Sequence, residues 1–279
     1  MKELTLEITN NCFLNCIQCS TKANPKGKIY FSLEQVASYL DRFTDFDVVR
    51  LSGGEPFQHP QLRDIVRIIH KQNKKVQILS CGVKNGREIS EKEMSSVKKY
   101  IDEIIFSMHG DDPLHDQIVT SDEFWLRHPP YWDMVSDSAD NALMNGINVS
   151  FQTVLMQANY SQLESIAHCL DSFSYCRKVN CSIDKNTKWH ILRFVKQGRG
   201  EENSAQALNP EQLKDLPNVL KELSERYKVS ITYSNSFAQD QCDCGSQKAV
   251  VTVDQEIIPC SALKYNPKNK GKFGCKYRI

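Results

Sequence analysis

The sequence predicts an α/β protein: an incomplete parallel (β/α)6 barrel followed by a small C-terminal β-hairpin module. Three observations lead there. Strand-like and helix-like segments alternate from the first residues, which favours a parallel sheet with helices outside it. Six such units occupy roughly 220 residues, whereas a full eight-unit barrel needs about 250. The last fifty or so residues then change character, with cysteines and two short strand-like runs. The expected domains are therefore 1–227 for the partial barrel and 228–279 for the C-terminal module.

The elements follow in order. "LTLEIT" (4–9) alternates and is β-branched, as a half-buried strand should be. "FSLEQVASYLDRF" is a helix opened by Ser32 and Gln35 in capping-box spacing. "DVVRLSGG" is a strand that ends in glycines, and "HPQLRDIVRIIHKQ" a helix with Pro60 near its start. "KVQILSCG" is a strand, "SEKEMSSVKKYI" a helix and "EIIFSMHG" a strand. Residues 110–130 lack periodicity and are expected to form a loop at the barrel mouth, so that His109 and His115 read as polar loop residues. "YWDMVSDSADNALMNG" is a helix closed by Gly146, and "INVSFQTVLM" is a strand. "NYSQLESIAHCLDSF" is a helix capped by Asn159 and Gln162, and "KWHILRFV" a strand. The last unit closes with "NPEQLKDLPNVLKELSERY", a helix with Asn209 as N-cap and Pro210 at its first position.

Composition narrows the function. The chain has 279 residues with 35 basic and 34 acidic side chains, a formal charge of +1. That balance provides no footprint for nucleic acid or an anionic membrane. No window reaches the ~18 apolar residues of a membrane helix. The N-terminus "MKELTLEITNN" has no signal-peptide apolar region, so the expected location is the cytoplasm. The 11 cysteines fall well short of a disulfide scaffold. Clustered cysteines in a reducing compartment point to metal or catalysis instead.

The cysteines are clustered. Cys12, Cys16 and Cys19 lie just after the first strand, where a parallel barrel places its active-site loops. Three thiolates on a tight loop can cap three irons of a [4Fe–4S] cube and leave the fourth iron open. Zinc is the rival, but it prefers four ligands and paired C-x2-C spacing. Cys242, Cys244, Cys260 and Cys275 form the second group, around "KAVVTV" and "EIIPC", two strands joined by a turn at Asp254–Gln255. Cys169 lies on a helix and reads as buried packing, and Cys176 and Cys181 lie in a connecting stretch where a third metal site is disfavoured. Cys81 ends the third strand at "LSCG", where packing competes with a thiol facing the mouth. Trp125, Trp132 and Trp189 read as core.

C-x3-C-x2-C at Cys12, Cys16 and Cys19, with "SGGEP" (52–56) at the end of the second strand, resembles the signature pair of the radical S-adenosylmethionine (radical SAM) enzymes. The resemblance implies a cluster that passes an electron to SAM, whose cleavage yields a 5′-deoxyadenosyl radical that abstracts hydrogen from substrate. It assigns Gly53, Gly54 and Glu55 to the SAM amine: glycines allow close backbone approach, and Glu55 supplies a negative charge to an ammonium. Ser107, ending "FSMHG", stands where the family often has a ribose contact, or it is a strand-end hydroxyl bonded to backbone. Arg193 stands where a SAM carboxylate contact is common, or it is a surface arginine. Gln18 occupies a position that is often aromatic in the family and lies against adenine, so the adenine contact here must differ.

The C-terminal cysteines resemble the auxiliary-cluster modules called twitch and SPASM. Four cysteines imply one auxiliary [4Fe–4S] cluster, with Cys242 the uncertain ligand and a zinc ribbon the alternative. Gln255 stands where the family pattern usually has glycine. The leading expectation is an enzyme acting on a small metabolite with net oxidation, supplied with electrons by a flavodoxin or ferredoxin. Lys196, Arg199 and Lys264 hint at an anionic substrate, or are solvated surface. The alternatives are a peptide- or protein-modifying maturase, whose N-terminal recognition domain this sequence does not display, and a non-catalytic electron carrier, against which the SAM-amine motif argues. Substrate identity and oligomeric state are not legible.

Overall fold

A computed structural model describes residues 2–120, 130–173, 187–233 and 247–260. Cys176, Cys181, Cys242, Cys244, Cys275, Trp125 and Lys264 lie outside the described residues. The chain alternates as expected: β1 (Glu3–Thr9), α1 (Leu33–Arg42), β2 (Val48–Gly53), α2 (Leu62–Lys71), β3 (Lys75–Ser80), a small hairpin of β4 (Val83–Lys84) and β5 (Arg87–Glu88), α3 (Glu91–Val97) and β6 (Glu103–Ser107). Then come α4 (Asp112–Thr120), α5 (Tyr131–Met144), β7 (Asn148–Leu155), α6 (Gln157–Tyr160), α7 (Leu163–Ser172), β8 (Thr187–Arg193), α8 (Arg199–Glu202), α9 (Pro210–Arg226), β9 (Val229–Tyr233), β10 (Lys248–Val251) and β11 (Ile257–Ile258).

The main sheet runs β11-β10-β1-β2-β3-β6-β7-β8-β9, parallel throughout except for β11. Its faces differ. Leu4, Leu6, Ile8, Leu51, Ile78, Phe106, Phe151, Trp189 and Ile191 are fully buried on one parity, and the helices cover that face. The other parity carries a polar ladder near the strand starts. Arg50 reaches Glu3 at 2.9 Å and donates to Gln77 at 2.7 Å, and Gln77 donates to Glu103 at 2.6 Å. A sheet with helices on one face and polar side chains on the other is that of a barrel, in which strand interiors face one another. Its edge strands, β9 and β11, are not paired with each other among the described residues, so the barrel is open.

The expected caps are present. Ser32 and Gln35 form the capping box of α1 (3.2 and 2.8 Å), and Asn209 and Gln212 that of α9 (2.9 and 3.0 Å). Two expectations need correcting. Residues 112–120 are a helix rather than a loop, because His115, Asp116, Ile118 and Val119 find buried positions against α5, and tertiary burial overrides weak local periodicity. Asn159 does not cap α7. It is buried inside the short α6, where it accepts from Met156 N at 2.8 Å and donates to His109 O at 2.8 Å. β9 was not among the expected elements; it pairs in parallel with β8 at the edge of the sheet.

Candidate active site

The cysteine loop leaves β1 at Thr9, whose hydroxyl accepts from Asn11 N at 3.0 Å. Cys12 N donates to Asn24 O at 3.1 Å, and Cys19 N turns back onto Cys16 O at 3.2 Å. Two distant elements grip this backbone. The end of α4 accepts from it: Asn15 N donates to Val119 O at 2.9 Å and Ile17 N to Ile118 O at 3.0 Å. The segment after β8 donates to it. Arg199 gives Nε to Cys16 O (2.8 Å), a terminal guanidinium N–H to Ala23 O (2.9 Å) and its backbone N–H to Cys19 O (3.0 Å). Asn203 Nδ2 reaches Ile17 O at 3.2 Å. With the backbone held on both sides, the three thiols are in no disulfide: Cys12 is buried, Cys16 and Cys19 are half-buried, and Cys19 Sγ lies 3.2 Å from Thr21 Oγ1.

The glycine motif lies directly on this loop. Gly53 has φ +123°, and a Cβ there would sit 2.2 Å from Thr9 O; a Cβ on Gly54 would sit 2.1 Å from Asn11 O. Gly54 N donates to Thr9 O at 2.6 Å and Glu55 N to Asn11 O at 2.8 Å. Thr21 Oγ1 donates to Gly53 O at 3.3 Å. The glycines therefore allow the two motifs to pack backbone on backbone. Glu55 is fully buried and accepts from Phe57 N (3.0 Å), Ser80 Oγ (3.0 Å) and Cys81 N (2.7 Å). Burial pushes its pKa up against the pull of those donors.

The remaining expected residues are spread along the mouth. Ser107 has the inward parity of Glu103 and Ile105, and its hydroxyl accepts from Gln152 Nε2 at 3.1 Å. Arg193 shares the parity of Trp189 and Ile191, so the inward residue of that strand end is Leu192. Gln18 is buried, with no hydrogen-bond partner for Oε1 among the described residues. Cys81 is half-buried and turned toward Cys12. The bond between the two thiols, then burial and the Glu55 charge, hold the Cys81 thiol protonated well above its ordinary range. Trp189 is core and donates its indole N–H to Thr153 Oγ1 at 2.8 Å. Lys196 is solvated, whereas Arg199 directs Nε, a terminal N–H and its backbone N–H to the cysteine loop.

His109 lies in the connection that precedes α4 and His115 on α4 itself, and neither is a solvated polar side chain. They are 4% and 0% exposed. His115 Nδ1 accepts from His109 N at 3.1 Å, and His109 Nδ1 accepts from Val154 N at 3.2 Å. Burial lowers His109 to about 4; burial and the neighbouring His109 lower His115 to about 3. Both are neutral props that tie the ends of β6 and β7 to α4.

At the C-terminal side, β10 pairs in parallel with β1 and antiparallel with β11. The turn places Gln255 at φ +64°, a left-handed conformation that favours glycine. Glu7, on β1, accepts from Val253 N at 3.1 Å and so fastens this hairpin to the strand that feeds the cysteine loop. Cys260 is half-buried just beyond β11.

As a donor set, Cys12, Cys16 and Cys19 suit a cationic centre. Burial and the repulsion of Cys12 and Cys19 raise the Cys16 thiol well above its ordinary value, with Arg199 pulling it down. Iron relieves that cost by making the thiolates ligands. No three His, Cys, Asp or Glu side chains among the described residues are grouped to hold a single ion. A cube needs only one thiolate per iron. The roles of Asn203 and Ser80 were not legible in the sequence, and Arg199 read as a substrate-facing or solvated cation, although the glycines flanking it in "QGRG" signal close packing.

Comparison with known proteins agrees with this geometry. Over 109 residues the chain is 30% identical to the antilisterial bacteriocin subtilosin biosynthesis protein AlbA of Bacillus subtilis, covering 38% of this chain and 23% of AlbA. It is 23% identical over 287 positions to the tungsten-containing aldehyde ferredoxin oxidoreductase cofactor-modifying protein of Pyrococcus furiosus, covering 93% of this chain and 71% of that one. Its fold matches Streptococcus suis SuiB bound to S-adenosylmethionine (TM-score 0.68, 15% identity, 95% of this chain and 61% of SuiB). It also matches anSMEcpe with bound AdoMet (TM-score 0.67, 16% identity, 95% of this chain and 76% of that one). The chain thus spans about a quarter of AlbA and about three fifths of SuiB. Residues 6–170, more than half of the chain and inclusive of both motifs, match the family model of the radical SAM superfamily, and the chain belongs to that superfamily.

Proposed function

We propose that the chain is an enzyme that cleaves S-adenosylmethionine reductively and abstracts hydrogen from an organic substrate. Cys12, Cys16 and Cys19 hold three irons of a [4Fe–4S] cluster, and the open iron takes the SAM amine and carboxylate. When bound, that cluster supplies the electron for breaking the sulfonium bond. The observation that carries the reading is the cysteine loop itself: three thiols in no disulfide, a backbone held by α4 and by the Arg199 segment, and the Gly53–Gly54 backbone packed against it. Gly53, Gly54 and Glu55 form the SAM-amine side, with Glu55 also fastening the motif to β3. Ser107 faces the mouth as a candidate ribose contact. Arg193 is assigned to the SAM carboxylate through its position at the end of β8, although its strand parity favours the helix side.

Cys260 with Cys242, Cys244 and Cys275 forms an auxiliary cluster in a module that begins near residue 228, and a protein-ligated cluster there favours net oxidation. The substrate reading is a small, cofactor-like molecule, supported by the cofactor-modifying relative that aligns over 93% of the chain. A peptide substrate is the second reading, favoured by the AlbA segment and by the fold shared with SuiB, also solved bound to its precursor peptide SuiA.

Two experiments test this. Cys16→Ala should abolish formation of 5′-deoxyadenosine under dithionite; undiminished formation overturns the assignment. For the substrate, extracts from deuterium-grown cells are divided by ultrafiltration and supplied to the enzyme. Deuterium entering 5′-deoxyadenosine from the low-mass fraction alone supports the small-molecule reading, and from the peptide fraction alone the second.

A further inference from the structure

We propose that Arg199 is the positioning residue of the cysteine loop: its guanidinium fixes where the three thiols sit and keeps a permanent positive charge beside the centre they hold. The inference rests on the cluster reading above. Three observations carry it. First, Arg199 makes three separate bonds to the loop, to Cys16 O, Cys19 O and Ala23 O, at 2.8–3.0 Å. Its planar fork can span carbonyls seven positions apart in the chain; a lysine ammonium has no such fork.

Second, the backbone around it is shaped for this approach. Gly198 has φ +59°, and a Cβ there would lie 2.4 Å from Cys19 O and 2.7 Å from Ser20 O. A Cβ on Gly200 would lie 2.5 Å from Val195 O. Asn203 Nδ2 donates to both Arg199 O (2.9 Å) and Ile17 O (3.2 Å), locking α8 to the loop.

Third, the charge meets no carboxylate among the described residues; nearby Glu202 pairs instead with Lys22 at 3.3 Å. A half-buried guanidinium that meets only neutral carbonyls has an uncompensated charge. A thiolate-ligated iron cluster compensates it. One-electron reduction adds negative charge to that centre, and a fixed cation nearby stabilises the reduced state. The electron itself comes from an external reductant. The bonds of Arg199 go to backbone carbonyls of the loop, so it acts through the loop.

The test uses the full chain, reconstituted anaerobically, as wild type, Arg199→Lys and Arg199→Gln. The EPR signal that SAM perturbs is titrated against potential with dithionite, and iron release to a chelator is timed. Arg199→Gln should lower the reduction equilibrium of that signal about tenfold, ~59 mV for a one-electron couple. Arg199→Lys should hold the potential near wild type, while both variants lose iron several-fold faster. A wild-type potential in Arg199→Gln, or equal shifts in Lys and Gln, overturns the role of the charge. Should Arg199→Gln fail to load, Arg199→Lys decides: faster iron loss at unchanged potential supports the role, and wild-type retention overturns it. A wild-type protein with no SAM-responsive signal removes the cluster reading itself, an outcome distinct from intact signals that ignore Arg199.

Discussion

Glu55 accepts the backbone N–H of Cys81 at 2.7 Å, and the two residues come from neighbouring strand ends. The same carboxylate takes Ser80 Oγ and the N–H of Phe57. One buried acidic side chain thus joins the glycine motif after β2 to the end of β3. Because Glu55 N also donates to Asn11 O, the cysteine loop is drawn into the same unit.

Glu55→Gln should therefore lower stability as well as SAM binding. The amide has one acceptor oxygen, and its NH2 would face donors. Each buried donor left unpaired costs about 1–3 kcal/mol. Urea denaturation of the variant should show a loss of that size. Unchanged stability with lost SAM binding would leave Glu55 only its ligand role.

The histidine pair predicts an acid-sensitive fold. His109 and His115 have folded pKa values lowered to about 4 and about 3 from 6.5. The unfolded chain therefore binds more protons between about pH 6.5 and those values. Stability is fully present above 6.5 and falls as pH drops, by at most about 1.4 kcal/mol per pH unit for each histidine. His115→Asn, whose Oδ1 can replace the acceptor Nδ1, should flatten the slope of unfolding free energy between pH 6 and 4.5. An unaltered slope would place the acid sensitivity elsewhere.

Two glycines with positive φ separate strain from contact. Gly146 has φ +73° with nothing within 4 Å of a Cβ, whereas at Gly53 a Cβ meets Thr9 O at 2.2 Å. Gly146→Ala should cost about 1 kcal/mol and keep its iron. Gly53→Ala should force the two motif loops apart and weaken SAM binding at least tenfold. Isothermal titration with SAM on the reconstituted proteins distinguishes them, and equal affinities would refute the contact argument.

Iron content checks the C-terminal cysteines. Reconstituted wild type should hold about eight irons per chain and Cys260→Ala about four, since each cube carries four. Cys260→Ala should still form 5′-deoxyadenosine, with a lower product yield for each one formed. Zinc in place of the second four irons would establish a zinc ribbon instead.

Local chemistry alone determined much of this protein. The period of the strands and helices, the capping boxes at Ser32 and Asn209, and the close spacing of Cys12, Cys16 and Cys19 are short-range properties, legible because neighbouring residues create them. The glycines of "SGGEP" were legible as a close approach, but not what they approach. Tertiary structure decided the rest. Residues 112–120 became a helix only because their buried side chains found α5, and His109 and His115 became neutral props once that helix covered them. β9 joined the sheet because β8 offered an unpaired edge. Arg199 lies 183 positions from Cys16, and no local pattern encodes a guanidinium that closes on carbonyls brought to it by the fold.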